Sequence, residues 1–97
     1  MESPRYLIVV ADDFGMGPET SRGILDLAQR GAVTGTVLLV NSPYAEADVA
    51  AWRRADSRPE LGWHPCLTLD APALPAARVP SLVGPDGRFW RLGLKHP

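Results

Sequence analysis

Two adjacent aspartates, Asp12 and Asp13, stand directly behind the apolar run Leu7-Ile8-Val9-Val10-Ala11 and just ahead of Phe14-Gly15-Met16-Gly17. No other part of the chain constrains the fold as much. A continuous apolar stretch rich in β-branched residues, from Tyr6 to Ala11, predicts a strand buried on both faces, as in a parallel sheet. Ionised side chains are expensive to bury and a like-charged pair is worse, so a doublet at the end of such a strand needs a cation, a hydrogen-bond cage or a proton. A divalent metal is the simplest answer. The same doublet also suits a turn, where aspartates accept hydrogen bonds from neighbouring backbone N–H groups.

The pattern then repeats. Pro18 at a first helical position, Glu19 beside it and Gly31 after Gln29-Arg30 predict a helix over Pro18 to Arg30, with Ile24, Leu25, Leu27 and Ala28 on its inner face. Val33 to Val40 predicts a second buried strand ending at Asn41. Ser42 as N-cap and Pro43 in the first turn predict a helix through about Ala55, turned inward at Ala45, Val49 and Trp52. Leu61 to Leu69 predicts a third strand carrying His64. The order βαβαβ with right-handed crossovers places the chain in the α/β class with a parallel sheet.

With 97 residues and 45% hydrophobic content, the chain suits one small domain, residues 1–97. Lys+Arg number 10 and Asp+Glu 11, so no charge excess favours nucleic acid or an anionic membrane surface as a partner. The apolar runs are too short to span a bilayer, and Met1-Glu2-Ser3-Pro4 does not open a secretory leader. No membrane insertion and a cytoplasmic location are expected. The single Cys66 agrees with a reducing compartment. Pro72, Pro75 and Pro80 make residues 70–80 a proline-rich loop. Pro85-Asp86-Gly87, flanked by Leu82-Val83 and Phe89-Trp90, predicts a tight hairpin-like turn.

In a parallel α/β sheet, ligands gather outside the carboxyl ends of the strands, where both the acidic doublet and His64 are expected. One aspartate can ligate a metal while its neighbour takes a proton from water, and a histidine adds a nitrogen ligand while leaving a position open. Three protein ligands are usual, so the expected site is one short. Alone on a strand, His64 also suits a half-buried structural role. Gly15-Met16-Gly17 lacks the lysine and Ser/Thr of a phosphate-binding loop, and Cys66 has no basic neighbour in sequence to activate it. A receiver domain of two-component signalling also carries an acidic pair after its first strand. Its phosphate-accepting aspartate at the third strand end is missing here, where His64 stands, and Lys95 is the only lysine.

These segments, in order, resemble the YdjC-like carbohydrate deacetylases. The resemblance runs through Leu7 to Gly15, Gly31-Ala32-Val33-Thr34-Gly35-Thr36, Asn41-Ser42-Pro43, Leu61-Gly62-Trp63-His64-Pro65-Cys66-Leu67-Thr68 and Ser81-Leu82-Val83-Gly84-Pro85-Asp86-Gly87-Arg88-Phe89. That family includes chitooligosaccharide and hopanoid-biosynthesis deacetylases. The resemblance implies a (β/α) barrel, of which this chain is the N-terminal βαβαβ portion, and metal-dependent removal of acetyl from an N-acetylated amino sugar or oligosaccharide. It also implies Mg2+ or Zn2+ as cofactor, Asp12 as catalytic base, and Asp13 and His64 as metal ligands. Family members are longer and bring a further ligating histidine from a later strand; His96 stands in the wrong context to match it. Pro65, after His64, departs from the family pattern and is expected to bend the strand edge. The open edges of a three-stranded piece lead us to expect a homo-oligomer or a larger protein. The competing expectation is a non-catalytic fragment or binding module.

Overall fold

A computed structural model describes residues 3–91 of the chain. Three parallel strands, β1 (Val10–Phe14), β2 (Gly35–Leu38) and β3 (Glu60–Trp63), lie in the order β1-β2-β3, so β2 is central and β1 and β3 are edges. The crossovers are α1 (Pro18–Gln29) and α2 (Ala45–Arg54), and a single 3-10 turn, Ala76–Arg78, interrupts the proline-rich loop. The α/β class and the parallel βαβαβ order are those expected from the sequence.

The first strand is displaced from its expected position. Tyr6, Leu7 and Ile8 lie outside β1 and are 89%, 80% and 80% exposed, whereas Asp12, Asp13 and Phe14 lie inside it. The reason is packing. Phe14, 0% exposed, is the largest fully buried side chain and forms the core with Ile24 and Val33, against Ala11, Leu25, Leu38, Trp52 and Leu61. Burying that one ring stabilises the fold by about 1.5–3 kcal/mol, and the strand takes the register that achieves it.

α1 starts with Pro18 and Glu19 in its first turn. It ends in a left-handed glycine cap: Gly31, at φ 78, donates to Ala28 C=O at 3.0 Å, and Ala32 N–H donates to Leu27 C=O at 2.9 Å. Ser21, Ile24 and Ala28 are its buried residues; Leu27, expected inside, is 44% exposed. α2 begins at Ala45 after an N-cap at Tyr44 and not at Ser42. The Ser42 hydroxyl instead accepts from Tyr44 N–H at 3.0 Å, a local serine turn that precedes the helix. Ala45 and Asp48 are buried on α2, with Val49 and Trp52 partly so. Trp52 Nε1–H donates to Pro59 C=O at 2.7 Å, and the Arg58 guanidinium lies 4.6 Å from the centre of the Trp52 ring, which fastens the α2–β3 connection.

The expected turn at residues 85–87 is present as an isolated antiparallel bridge between Val83 and Phe89, with Gly84 N–H donating to Arg88 C=O at 2.8 Å. Residues 92–97, His96 among them, lie outside the described residues.

Phe14→Ala is expected to cost about 3–5 kcal/mol and Phe14→Leu markedly less, read as urea midpoints by circular dichroism; equal midpoints would place the core elsewhere.

Candidate active site

The acidic doublet sits on a backbone irregularity. Along β1 and β2, Ala11 pairs with Thr36 and Phe14 with Leu38, so β1 holds one residue more than its partner between the two pairs. This is a β-bulge. Asp13 absorbs it with φ 68, in the left-handed region where aspartate is better tolerated than most residues. The bulge breaks the strict alternation of the strand at the doublet.

A tight turn follows at once. Met16 N–H donates to Asp13 C=O at 3.1 Å, with Gly15 third in the four-residue turn at φ 94. Glycine suits the positive φ there, and a Cβ on Gly15 would lie 3.0 Å from Leu38 Cδ1, which would have to shift to admit it.

His64 follows β3 directly and is outside it, a correction to the longer third strand expected from the sequence. Its backbone is nevertheless fixed, because His64 N–H donates to Leu38 C=O at 2.9 Å and extends the β2–β3 ladder by one step. On the other side of β2, Leu39 N–H donates to Phe14 C=O at 2.9 Å. Both neighbours of the central strand are thereby in register at their carboxyl ends.

The result is convergence. His64 Nε2 and Asp13 Oδ1 are 3.1 Å apart, with side chains 31% and 41% exposed. Asp12, the adjacent residue, is exposed. Thus Asp13 and His64, 51 residues apart in number, share one rim. Two ligands at about 2.0–2.2 Å from one ion, at octahedral or tetrahedral angles, stand about 2.8–3.6 Å apart. The observed distance therefore fits either a hydrogen-bonded ion pair or two donors sharing a metal. Among the described residues, no group of three His, Cys, Asp or Glu side chains forms a fuller ligand set.

Beside His64 lies a hollow of about 10 Å³, lined also by Asn41, Cys66, Leu69 and Asp70; this is the scale of a single water. Leu69 and Asp70 also line a larger groove of about 610 Å³ that runs towards Arg88, Phe89 and Trp90. Asp70 is ion-paired with Arg88 at 3.5 Å and accepts from Phe89 N–H at 3.0 Å through its carbonyl, so the 83–89 turn is anchored to the end of the rim segment. The reading from sequence gave no site role to Asp70, Arg88, or the buried Ser21, Ser42 and Asp48 behind the turn. For Asp48 a signal existed: it lies three residues after Ala45 and four before Trp52, on the inward stripe of α2.

The model of the family described as YdjC-like protein matches residues 6–96. This chain belongs to the YdjC-like family. Among its relatives, a carbohydrate deacetylase of Geobacillus stearothermophilus is 47% identical over 92 residues, covering 93% of this chain and 35% of that protein. A carbohydrate deacetylase of Enterococcus faecalis is 41% identical (91% of this chain, 34% of that one), and a human one is 43% identical (92% and 28%). A crystal structure of a candidate cellobiose-phosphate cleavage protein from Enterococcus faecalis V583 superposes with a TM-score of 0.84 at 39% identity, covering 90% of this chain and 34% of that one. The chain thus spans about a third of the length of the relatives it matches. No helix among the described residues is long and apolar enough to cross a membrane.

The left-handed backbone separates Asp13's structural duty from its chemical one. Asp13→Asn and Asp13→Gly should fold with midpoints near the parent, whereas Asp13→Val should lose about 1–2 kcal/mol in urea titrations; equal losses for all three would show that the conformation is not demanding.

Proposed function

We propose that this chain carries the first half of a metal-dependent deacetylase site acting on an N-acetylated amino sugar. The observation that carries this reading is the 3.1 Å approach of His64 Nε2 to Asp13 Oδ1. The deacetylase names of relatives matching more than nine-tenths of the chain give it its reaction class. Asp13 and His64 are the residues that would hold the cation, Mg2+ or Zn2+. When bound, such an ion supplies Lewis acidity to the acetamide carbonyl and a more acidic water.

The chain's own residues do the remainder. Asp12, exposed and next to Asp13 in the chain, takes a proton from the attacking water as the new C–O bond forms. The C–N bond then breaks, the proton passes to the leaving nitrogen, and acetate and a free amino sugar are released. Asp12 differs from Asp13 in having no ion pair to His64, so its carboxylate is left for proton transfer. The groove beyond Leu69 and Asp70, with the ring of Trp90 and the Asp70–Arg88 pair along it, offers an apolar face and hydrogen-bonding groups to a sugar. The cation-site half of this reading favours an enzyme over a mere binding module, because a carboxylate–imidazole pair with a second carboxylate adjacent is poorly explained by structure alone. An exposed pair of this kind contributes only about 0–1 kcal/mol to stability. The lone Cys66 fits a cytoplasmic location.

Zn2+ titration calorimetry tests the site. The parent chain should bind one Zn2+, and Asp13→Ala and His64→Ala should each weaken it by about 10–100-fold; equal affinities in all three would remove the cation site. Acetate release from an N-acetylglucosamine oligomer tests the chemistry: Asp12→Asn should bind Zn2+ as the parent does but release acetate about 10²–10⁴-fold more slowly.

A further inference from the structure

Behind the acidic turn lies a buried carboxyl group that the proposed reaction does not use. Asp48 is 5% exposed and its partner Ser21 2%. Ser21 Oγ–H donates to Asp48 Oδ2 at 2.7 Å, and Ser21 Oγ in turn accepts from Gly15 N–H at 2.9 Å. The next peptide plane is held as well, since the Ser42 hydroxyl donates to Gly15 C=O. Gly15 is therefore gripped from α1 through Ser21 and from the turn that precedes α2 through Ser42.

The direction of these bonds matters. A serine hydroxyl has one proton and two lone pairs. Once that proton is committed to Asp48, Ser21 Oγ can only accept on the side facing Gly15. An apolar residue at this inward position of α2 would be cheaper to bury, yet it would leave the Ser21 hydroxyl free to rotate, for instance towards the carbonyl one helical turn earlier. Gly15 N–H would then lose its fixed acceptor. Gly15 is also the third residue of the turn that begins at Asp13, so its orientation sets where the bulged Asp13 side chain is aimed.

We propose that Asp48 is a positioning residue: acting through Ser21 and Gly15 N–H, it holds the Asp13–Met16 turn in the conformation that presents Asp13 to His64. The proposal rests on the reading of Asp13 as a ligand, but its first consequence, the fixing of Gly15, does not.

The test uses the whole chain, with amide hydrogen exchange by NMR and Zn2+ calorimetry on Asp48→Ala, Asp48→Asn and Ser21→Ala. Asp48→Ala and Ser21→Ala should speed exchange of the Gly15 amide about tenfold relative to the amides of β2 and weaken Zn2+ binding by a similar factor, as loss of one buried hydrogen bond implies. Asp48→Asn keeps an acceptor oxygen and should restore both to within about threefold of the parent. Exchange that rises uniformly across the sheet, or a Gly15 amide unchanged in Asp48→Ala, would overturn the proposal. If the parent binds no Zn2+, the ligand reading fails and the ratio of Gly15 to β2 exchange decides the positioning role alone. If Asp48→Ala does not fold, the contrast between Ser21→Ala and Asp48→Asn decides it: fast Gly15 exchange in the first and slow in the second supports the role, and equal rates overturn it.

Discussion

The site depends on one local constraint, the extra residue in β1 between Ala11 and Phe14. Phe14 must enter the core, and the parallel ladder to β2 must resume at Leu38–Leu39; both conditions hold only if Asp13 takes a left-handed conformation. The energetic gain of the buried ring outweighs the strain at one residue, which aspartate keeps below the about 1–2 kcal/mol that most side chains meet there. Hydrophobic packing thus sets the geometry of a charged group.

From that bulge the rest follows in order. The turn after Asp13 favours Gly15, the close approach of Gly15 to Leu38 and Leu39 brings the turn over the central strand, and His64 reaches the same rim because its N–H continues the β2–β3 ladder. Neither Asp13 nor His64 is deeply buried. Their approach contributes little to folding, and it holds a nitrogen and an oxygen at the spacing of two donors.

The α/β class, the parallel order, both helices and the turn at 85–87 were legible because each depends on local pattern: β-branched runs, a proline at a helix start, a glycine at a helix end. Strand limits were less so. Hydrophobicity alone favours Tyr6 to Ala11, whereas the actual strand runs through two aspartates to reach Phe14; the value of burying that ring against Ile24 and Val33 comes from residues far along the chain. The approach of Asp13 to His64 was within reach of topology, since both fall at carboxyl ends of parallel strands. Of the Gly15–Ser21–Asp48 chain only the place of Asp48 on the inward stripe of α2 was legible; its partners were not, because they depend on the packing of α1 against α2. Leu27 shows the converse: apolar and expected on the inner face, it is 44% exposed, beside a sheet that has three strands among the described residues.

At the far end of β2, the side-chain amide of Asn41 donates to the carbonyl of Ala71 at 3.0 Å. That single exposed bond ties the start of the proline-rich segment to the sheet, and a bond of this kind contributes only about 0.5–1.5 kcal/mol. Asn41 and Asp70, two of the residues that line the hollow beside the imidazole, are thus each held by a side-chain bond at the surface, and the wall of that hollow on this side is set by surface contacts and not by the core.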